Sequence, residues 1–256
     1  MKDEQLRITI LNPNISKPVS DIILAEAMRA KQPETVLQIQ TASFGVEYIE
    51  TLVEATIAGH ATLEMFSSAY SEADAIVLAA FGDPGLDALK QASPIPVIGL
   101  TEAAITVAHA LGGRYAVVGI SERIGYWYRD VIEAMDPSAR YLGYSGLGER
   151  FRSVSTVREE QVEQLLAMCQ LAVTEQGADS IILAGAPLAG LAREIVSDVP
   201  VPLIDGVESA VRMAEFIGGM GPLVRQVGAF APQPEKSHNG LSCSVSRIIG
   251  RIPEVN

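Results

Sequence analysis

The chain has 256 residues, 48% of them hydrophobic and 20% charged, with a formal net charge of −12 and a pI near 4.7. That excess of acid argues against nucleic acid and anionic membrane surfaces as partners, since both require clustered Lys and Arg. No apolar run approaches the roughly 20 residues of a membrane span, and Met1–Gln5 carries no apolar signal core, so a cytoplasmic location is expected.

Strand and helix signals alternate from the first residues onward. Arg7–Leu11 reads as a short strand ending in Asn12-Pro13-Asn14, and a helix is expected over Ser20–Ala30. Val36–Gln40 alternates apolar and polar residues as a strand does. Ile49, Leu52, Val53, Ile57, Leu63 and Phe66 then recur at helical spacing, which predicts one helix over Glu47–Tyr70. Ala75–Ala79 is a continuous apolar run, the pattern of a parallel strand covered on both faces. Phe81-Gly82-Asp83-Pro84-Gly85 ends it, and a helix follows over Leu86–Gln91. A strand over Val97–Leu100 precedes a helix over Glu102–Leu111. Further strands are expected at Tyr115–Ile120, Ile181–Ala184 and Leu203–Ile204, with helices at Arg123–Met135, Val157–Glu175 and Val207–Ile217. From about Ala231 the chain turns rich in Pro, Ser and Gly. Alternation of this kind predicts an α/β fold with parallel sheets.

The middle of the chain occurs twice. Ala73-Asp74-Ala75-Ile76-Val77-Leu78-Ala79-Ala80 returns as Ala178-Asp179-Ser180-Ile181-Ile182-Leu183-Ala184-Gly185, about 105 residues later. Pairing 95–113 with 201–219 gives seven identities in nineteen positions, including Pro96/Pro202, Glu102/Glu208 and Gly112-Gly113/Gly218-Gly219. A duplicated half predicts two pseudo-symmetric lobes, the first over 1–100 plus 205–231, the second over 101–204, with a tail over 232–256. A ligand between them would be approached from two opposite sides.

In parallel α/β sheets ligands bind at the carboxyl ends of strands. The loops there are Asn12 to Ser16, Ala80 to Gly85, Gly119 to Glu122 and Ala184 to Gly190, all short and rich in small residues. They offer backbone N–H groups suited to carboxylate or imide oxygens. Neither a GxxxxGK[ST] loop nor a GxGxxG after a strand occurs, so no nucleotide cofactor is expected. The two cysteines form no CxxC pair and no HExxH is present, so no metal site is expected either. Cys169, among Val162, Leu165, Leu166 and Val173, reads as a buried structural thiol.

Asn12-Pro13-Asn14, Tyr48-Ile49-Glu50, Phe81-Gly82-Asp83-Pro84-Gly85-Leu86, Gly185-Ala186-Pro187-Leu188-Ala189-Gly190, Asp205-Gly206-Val207 and the segment Pro232 to Lys236 resemble the hydantoin and allantoin racemases of the aspartate/glutamate racemase superfamily. The resemblance runs in order along nearly the whole chain. It implies two α/β lobes, a small-molecule substrate held between them, homo-oligomers, and cofactor-independent proton transfer next to a carbonyl. It also implies one catalytic cysteine just before FGDPG and a second in the equivalent loop. At those positions this chain has Ala80 and Gly185, which the internal repeat brings into register. Neither side chain can act as base or acid, and loss of a general base typically costs roughly 10²–10⁴ in rate. The resemblance therefore leaves open an enzyme of divergent, non-thiol chemistry (hydrolytic ring opening, lyase or decarboxylase) acting on a small cyclic ureide, imide or amino-acid-like acid. The alternative is a cysteine-substituted, inactive racemase or a non-catalytic binding protein using the same cleft.

Several side chains compete for roles. Asp83 is the candidate base, against a turn or helix-cap reading. Asn14 and Ser16 are candidates for substrate oxygens, against a simple cap, and Ser121 for a ligand-contacting hydroxyl. Ala80, Phe81, Gly82, Gly185, Ala186 and Pro187 are expected to line the substrate site. Glu50, Glu102 and Glu208 fit capping roles, Tyr126-Trp127-Tyr128 packing or a pocket wall, and His60 and His109 structural positions.

Overall fold

In the computed structural model, which describes residues 5–148, 153–223, 227–231, 234 and 236–249, the chain forms two four-stranded parallel sheets of identical strand order. The first half runs β1 (Arg7–Asn12), α1 (Lys17–Ala30), β2 (Val36–Thr41), α2 (Leu52–Ala69), β3 (Ala75–Leu78), α3 (Leu86–Ala92), β4 (Val97–Gly99) and α4 (Leu100–Leu111). The second runs β5 (Tyr115–Gly119), α5 (Gly125–Met135), β6 (Tyr141–Gly146), α6 (Val157–Glu160), α7 (Val162–Thr174), β7 (Ser180–Ala184), α8 (Leu191–Ile195), β8 (Leu203–Asp205) and α9 (Gly206–Gly218). A short α10 (Cys243–Ile248) packs on α2. The sheets are ordered β2-β1-β3-β4 and β6-β5-β7-β8.

The Ala-Asp pair that opens each repeat has a shared physical cause. Asp74 Oδ2 accepts the N–H of Arg7 at 2.7 Å, and Asp179 Oδ2 accepts the N–H of Arg114 at 2.7 Å. The backbone N–H of each aspartate returns the bond, to the carbonyls of Arg7 and Arg114, at 2.8 Å in both lobes. Each aspartate thus fixes the start of its sheet's central strand. The continuous apolar runs behind them, Ala75–Leu78 and Ser180–Ala184, are buried throughout. Full burial of a Val, Leu or Ile side chain is worth about 1.5–3 kcal/mol.

The lobes exchange a helix. α4 leaves β4 of the first sheet and packs against β7 of the second, while α9 leaves β8 and packs against β3 and α1 of the first. α4 and α9 also pack on each other. Leu100 and Gly206, which start these helices at matching repeat positions, meet at the pseudo-twofold axis. A Cβ at Gly206 would lie 3.3 Å from the Leu100 Cβ and 3.5 Å from its carbonyl oxygen. One hydrophobic cluster consequently spans both sheets, joining Ile10, Val77 and Ile98 to Val118, Leu183 and Val207. Cys169 is wholly buried in that cluster, and burial pushes its thiol up to about 12.

The largest differences from the sequence-based expectation lie at α2, at the helix expected over Val157–Glu175 and at β6, while other element ends shift by one to three residues. Helix α2 begins at Leu52 rather than Glu47. Thr51 and Glu54 form a capping box: Glu54 Oε2 accepts the Thr51 N–H at 2.8 Å and Thr51 Oγ1 accepts the Glu54 N–H at 3.3 Å. The helix expected over Val157–Glu175 is two helices, broken at Gln161. Strand β6 was not expected at all. Its sequence, Tyr-Leu-Gly-Tyr-Ser-Gly, carries no β-branched residue, and it is an edge strand paired only with β5 through an irregular register. Pro232, Gln233 and Glu235, part of the segment on which the family resemblance partly rests, lie outside the described residues. No helix among those described is long and apolar enough to cross a membrane.

At the base of the second lobe the Asp136 carboxylate is buried. It accepts from Tyr115 OH at 2.9 Å and from the Ser138 N–H at 2.9 Å, and lies 2.9 Å from His109 Nε2. Burial pushes its pKa up, but the donors Ser138, His109 and Tyr115 outweigh it and hold the carboxyl well below the usual range. A depressed folded pKa stabilises the fold above the unfolded value near 4 and loses that contribution as pH falls. Asp136→Asn should therefore lower stability at pH 7 by about 2 kcal/mol, with the gap closing below about pH 4. Urea denaturation of both proteins at several pH values checks this, and equal stability at pH 7 would contradict it.

Candidate active site

The cleft opens where the carboxyl ends of both sheets face each other. The space over its lining residues amounts to about 370 Å³ with open solvent included. Asn14 reaches it from the loop after β1, Ala80 and Phe81 from the loop after β3, and Ile120 from the loop after β5. Gly185, Ala186 and Pro187 enter from the loop after β7, Tyr48 and Ile49 from the segment before α2, and Tyr128 from α5.

Of the residues expected at the site from sequence, Asn14, Ala80, Phe81, Gly185, Ala186 and Pro187 line this cleft. Ser16, Gly82 and Ser121 do not. Ser16 is the N-cap of α1, its Oγ accepting the Val19 N–H at 3.4 Å. Gly82 gives its N–H to Thr101 Oγ1 at 2.6 Å and lies flat against the Trp127 ring. Ser121 donates to Glu50 Oε1 at 2.5 Å, a bond that links the two lobes beside the cleft. Tyr128, expected as packing or a pocket wall, lines the cleft, whereas Tyr48 and Ile49 were not singled out as lining residues. The Thr51-to-Glu54 capping signature could have found these two, because it starts the helix only after them.

Asp83 is absent from the lining. Its Oδ1 accepts the Thr101 N–H at 3.0 Å and its Oδ2 the Glu102 N–H at 2.9 Å, so both oxygens cap the N-terminus of α4. The candidate base is thus engaged with a helix end and is absent from the cleft lining. The helix it caps is α4, not the adjacent α3. Burial pushes the Asp83 carboxyl up to about 7 against the N–H bonds that favour its ion. Asp205 performs the same service for α9. Its Oδ1 accepts from the N–H groups of Val207 and Glu208 at 2.8 and 3.1 Å, and its Oδ2 from Gly190 at 2.6 Å.

The repeat explains why the two caps come from different places. Asp205 pairs with Gly99, which has no side chain to cap α4. The space is taken by Asp83, whose Cγ would lie 2.3 Å from a Cβ at Gly99. Asp83 reaches it from a left-handed backbone, φ 47°, which aspartate tolerates better than most residues.

Two features govern what the cleft can do. First, the backbone N–H groups of Ala80 and Phe81, and of Gly185 and Ala186 at matching repeat positions, have no acceptor among the described residues, whereas those of Ala79, Gly82 and Leu188 do. Each lobe thus presents a pair of adjacent amide donors. Asn14 adds a third donor group. Its Oδ1 accepts from Asn12 Nδ2 at 3.1 Å and the Ser16 N–H at 2.9 Å, so its NH₂ is the part of the side chain not used in those bonds. Second, among the described residues, no Asp, Glu, His, Lys, Arg or Cys lines this cleft. The titratable groups there are Tyr48 and Tyr128, both raised above the ordinary tyrosine value by burial and hence protonated at neutral pH. No group of three or more potential metal-ligating side chains occurs among the described residues.

A family model described as Asp/Glu/Hydantoin racemase matches residues 8–214. The hydantoin racemase of Paenarthrobacter aurescens is 28% identical over 91% of this chain and 100% of its own length. Among solved structures, the allantoin racemase from Klebsiella pneumoniae superposes with a TM-score of 0.87 at 28% identity, over 94% of this chain and 98% of that one. An allantoin racemase from Pseudomonas fluorescens gives 0.83 at 27% identity, over 91% and 100%.

The capping arrangement predicts a strong coupling. Gly99→Ala should destabilise the protein by more than about 3 kcal/mol, because the new methyl collides with a buried carboxylate. In an Asp83→Ala background the same change should cost under about 1 kcal/mol. Equal costs in the two backgrounds, measured by urea denaturation, would contradict the assignment of Asp83 to α4.

Proposed function

From the premise that the chain belongs to the Asp/Glu/Hydantoin racemase family, and so to a family of racemase- and isomerase-type enzymes, we propose that it acts by base-free carbon–carbon bond cleavage. In this reading Ala80 and Gly185 stand at the family's two thiol positions. The substrate is a small cyclic ureide, imide or amino-acid-like acid that carries a carboxylate on the reacting carbon, and the reaction is decarboxylation. The observation that carries the proposal is a cleft with two amide pairs and, among the described residues, no carboxylate, imidazole, amine or thiol in its lining.

The candidate reactions differ in what each requires of the protein. Racemisation begins by removing a proton from carbon, which needs a base beside the substrate. Hydrolytic ring opening needs a base to activate water. The nearby carboxylates Asp83, Asp205 and Glu50 are already engaged, with helix ends or with Ser121. Decarboxylation needs neither. The electron pair comes from the breaking carbon–carboxylate bond and passes into the adjacent carbonyl as an enolate. What the protein must supply is a set of donors aimed at the developing oxyanion, worth about 2.7–4 kcal/mol per donor. The N–H pairs of Ala80/Phe81 and Gly185/Ala186, with the Asn14 amide, fit that need. A second reading shares the same observation: a cleft without a base can bind a ureide or carboxylate without transforming it.

Two measurements follow. The chain should show no deuterium exchange at C5 of 5-substituted hydantoins in D₂O, and should release CO₂ from a 5-alkylhydantoin-5-carboxylate. Rapid exchange would overturn the reading of the missing thiols; tight binding of the carboxylate without CO₂ release would favour the binding-only reading. Restoring thiols should be unequal in cost. Ala80→Cys should fold as the unaltered chain does. At Gly185 a Cβ would meet only Pro187 Cδ at 3.7 Å, but φ is +114°. Gly185→Cys should therefore lower stability by about 1–3 kcal/mol through backbone strain, and an unchanged melting temperature would contradict this.

A further inference from the structure

Where the exchanged helices meet, at Leu100 and Gly206, the structure holds a second and smaller space. The region over its lining residues amounts to about 200 Å³ with open solvent included. Phe81 and Gly185 line both this inner chamber and the cleft. We propose that the chamber is a specificity site: it receives a short, uncharged apolar substituent on the substrate's reacting carbon, which enters past Gly185.

The chamber owes its existence to two glycines. The repeat pairs Gly185 with Ala80 and Gly206 with Leu100. Leu100 occupies the helix junction from the first lobe, and Gly206 adds no side chain from the second. A Cβ at Gly206 would already lie 3.3 Å from the Leu100 Cβ. Gly185 is in the opposite situation. Apart from its chain neighbours, a Cβ there would meet only Pro187 Cδ, at 3.7 Å, among the described residues, so the position is open. The matching space in the first lobe is taken: the Asp83 carboxylate fills the place of a Cβ on Gly99, and Thr101 Oγ1 accepts the Gly82 N–H at 2.6 Å. The two sides of the reacting carbon therefore meet unequal surroundings.

The walls decide what fits. Leu100, Leu183, Ala189 and Val207 line the chamber with aliphatic side chains, all buried. The charged group among its described lining residues is Asp205. Its Oδ1 accepts from Val207 and Glu208 and its Oδ2 from Gly190, so three N–H groups already hold it. A second carboxylate entering there would meet like charge in a poorly solvated space. On the decarboxylation reading, on which this inference rests, the reacting carbon bears a carboxylate and a further substituent. The chamber sorts the two: the alkyl group enters and the carboxylate stays in the cleft. Each methyl group buried there should tighten binding about fourfold. A mere packing gap would also leave a space at a helix crossing, but it would give no preference among ligands.

The test reads binding rather than turnover. The 5-alkylhydantoins carry no carboxylate to lose, so calorimetric titration of the full chain with them reports on the chamber alone. From hydantoin to 5-methylhydantoin to 5-ethylhydantoin, affinity should rise about fourfold at each step. The branched 5-isobutylhydantoin and the anionic 5-carboxymethylhydantoin should each bind about tenfold or more weakly than the 5-ethyl compound. Two variants move the size limit in opposite directions. Val207→Ala widens the chamber while keeping the backbone N–H that Asp205 binds, and should tighten the 5-isobutyl compound about fivefold. Ala189→Val narrows it and should weaken the 5-ethyl compound about fivefold. Unsubstituted hydantoin should bind both variants within about twofold of the unaltered chain. Because the shifts are opposite in sign, either variant suffices if the other fails to fold. Equal affinity for all 5-substituents, or a ranking that neither variant moves, would overturn the chamber assignment and leave the decarboxylation reading standing. CO₂ release from a 5-ethylhydantoin-5-carboxylate tests that reading separately. Failure of the unaltered chain to bind any hydantoin would overturn the ureide reading, and the chamber assignment with it.

Discussion

Two buried carboxylates hold the architecture of this protein at its centre. Asp83 and Asp205 each bind two N–H groups at the start of an exchanged helix, α4 and α9 respectively. Those helices cross between the lobes and meet at Leu100 and Gly206, on the pseudo-twofold axis. Because Asp83 sits in the loop after β3, and Asp205 also binds Gly190 at the end of the loop after β7, the same bonds fix the loops that line the cleft. Helix exchange, loop geometry and cleft shape are one problem with one solution. A helix N-terminus carries partial positive charge and unpaired donors, so a carboxylate there is favourable even where burial raises its pKa.

This constraint also limits chemistry. A carboxylate committed to a helix end is not a base for a substrate, and Glu50, the other acid near the cleft, is bonded to Ser121. Among the described residues, the polar groups lining the cleft come from two backbone amide pairs, one from each lobe, and from Asn14, Tyr48 and Tyr128. On the proposed reading, such a surface binds oxygen-bearing ligands and stabilises negative charge as it develops. The loop around Gly185 bears on this too. Its backbone at φ +114° is a conformation that a cysteine would adopt only under strain, so the loop is shaped around glycine rather than merely lacking a side chain.

The outline of the fold was legible because burial in a parallel sheet leaves strong marks. The runs 75–79 and 181–184 are apolar on both faces, and their recurrence declared two lobes. Strand β6 left no such mark: it is a glycine-containing edge strand, half exposed along most of its length. Six cleft residues were readable from their place at strand ends, since the carboxyl-end rule depends on topology alone. Tyr48 and Ile49 were obscured because helical spacing continues back past Thr51, and only the capping box separates helix from loop. The role of Asp83 was not readable from local pattern. It caps a helix eighteen residues further on, across the gap left by Gly99, and that relation exists only in three dimensions. The sequence did hold a trace of it: Asp205 has glycine as its repeat partner, an asymmetry at a position where the two halves do the same work.

The central claim is that the cleft binds its substrate's oxygens through paired backbone amides, with no side-chain base in contact. A crystal structure with a small enolate mimic, such as a hydantoin-5-carboxylate analogue resistant to cleavage, tests it directly. The ligand oxygens should lie within about 3 Å of the amide nitrogens of Ala80 or Phe81 on one side and Gly185 or Ala186 on the other. A ligand held instead against a carboxylate or imidazole, or seated away from these four amides, would contradict the account.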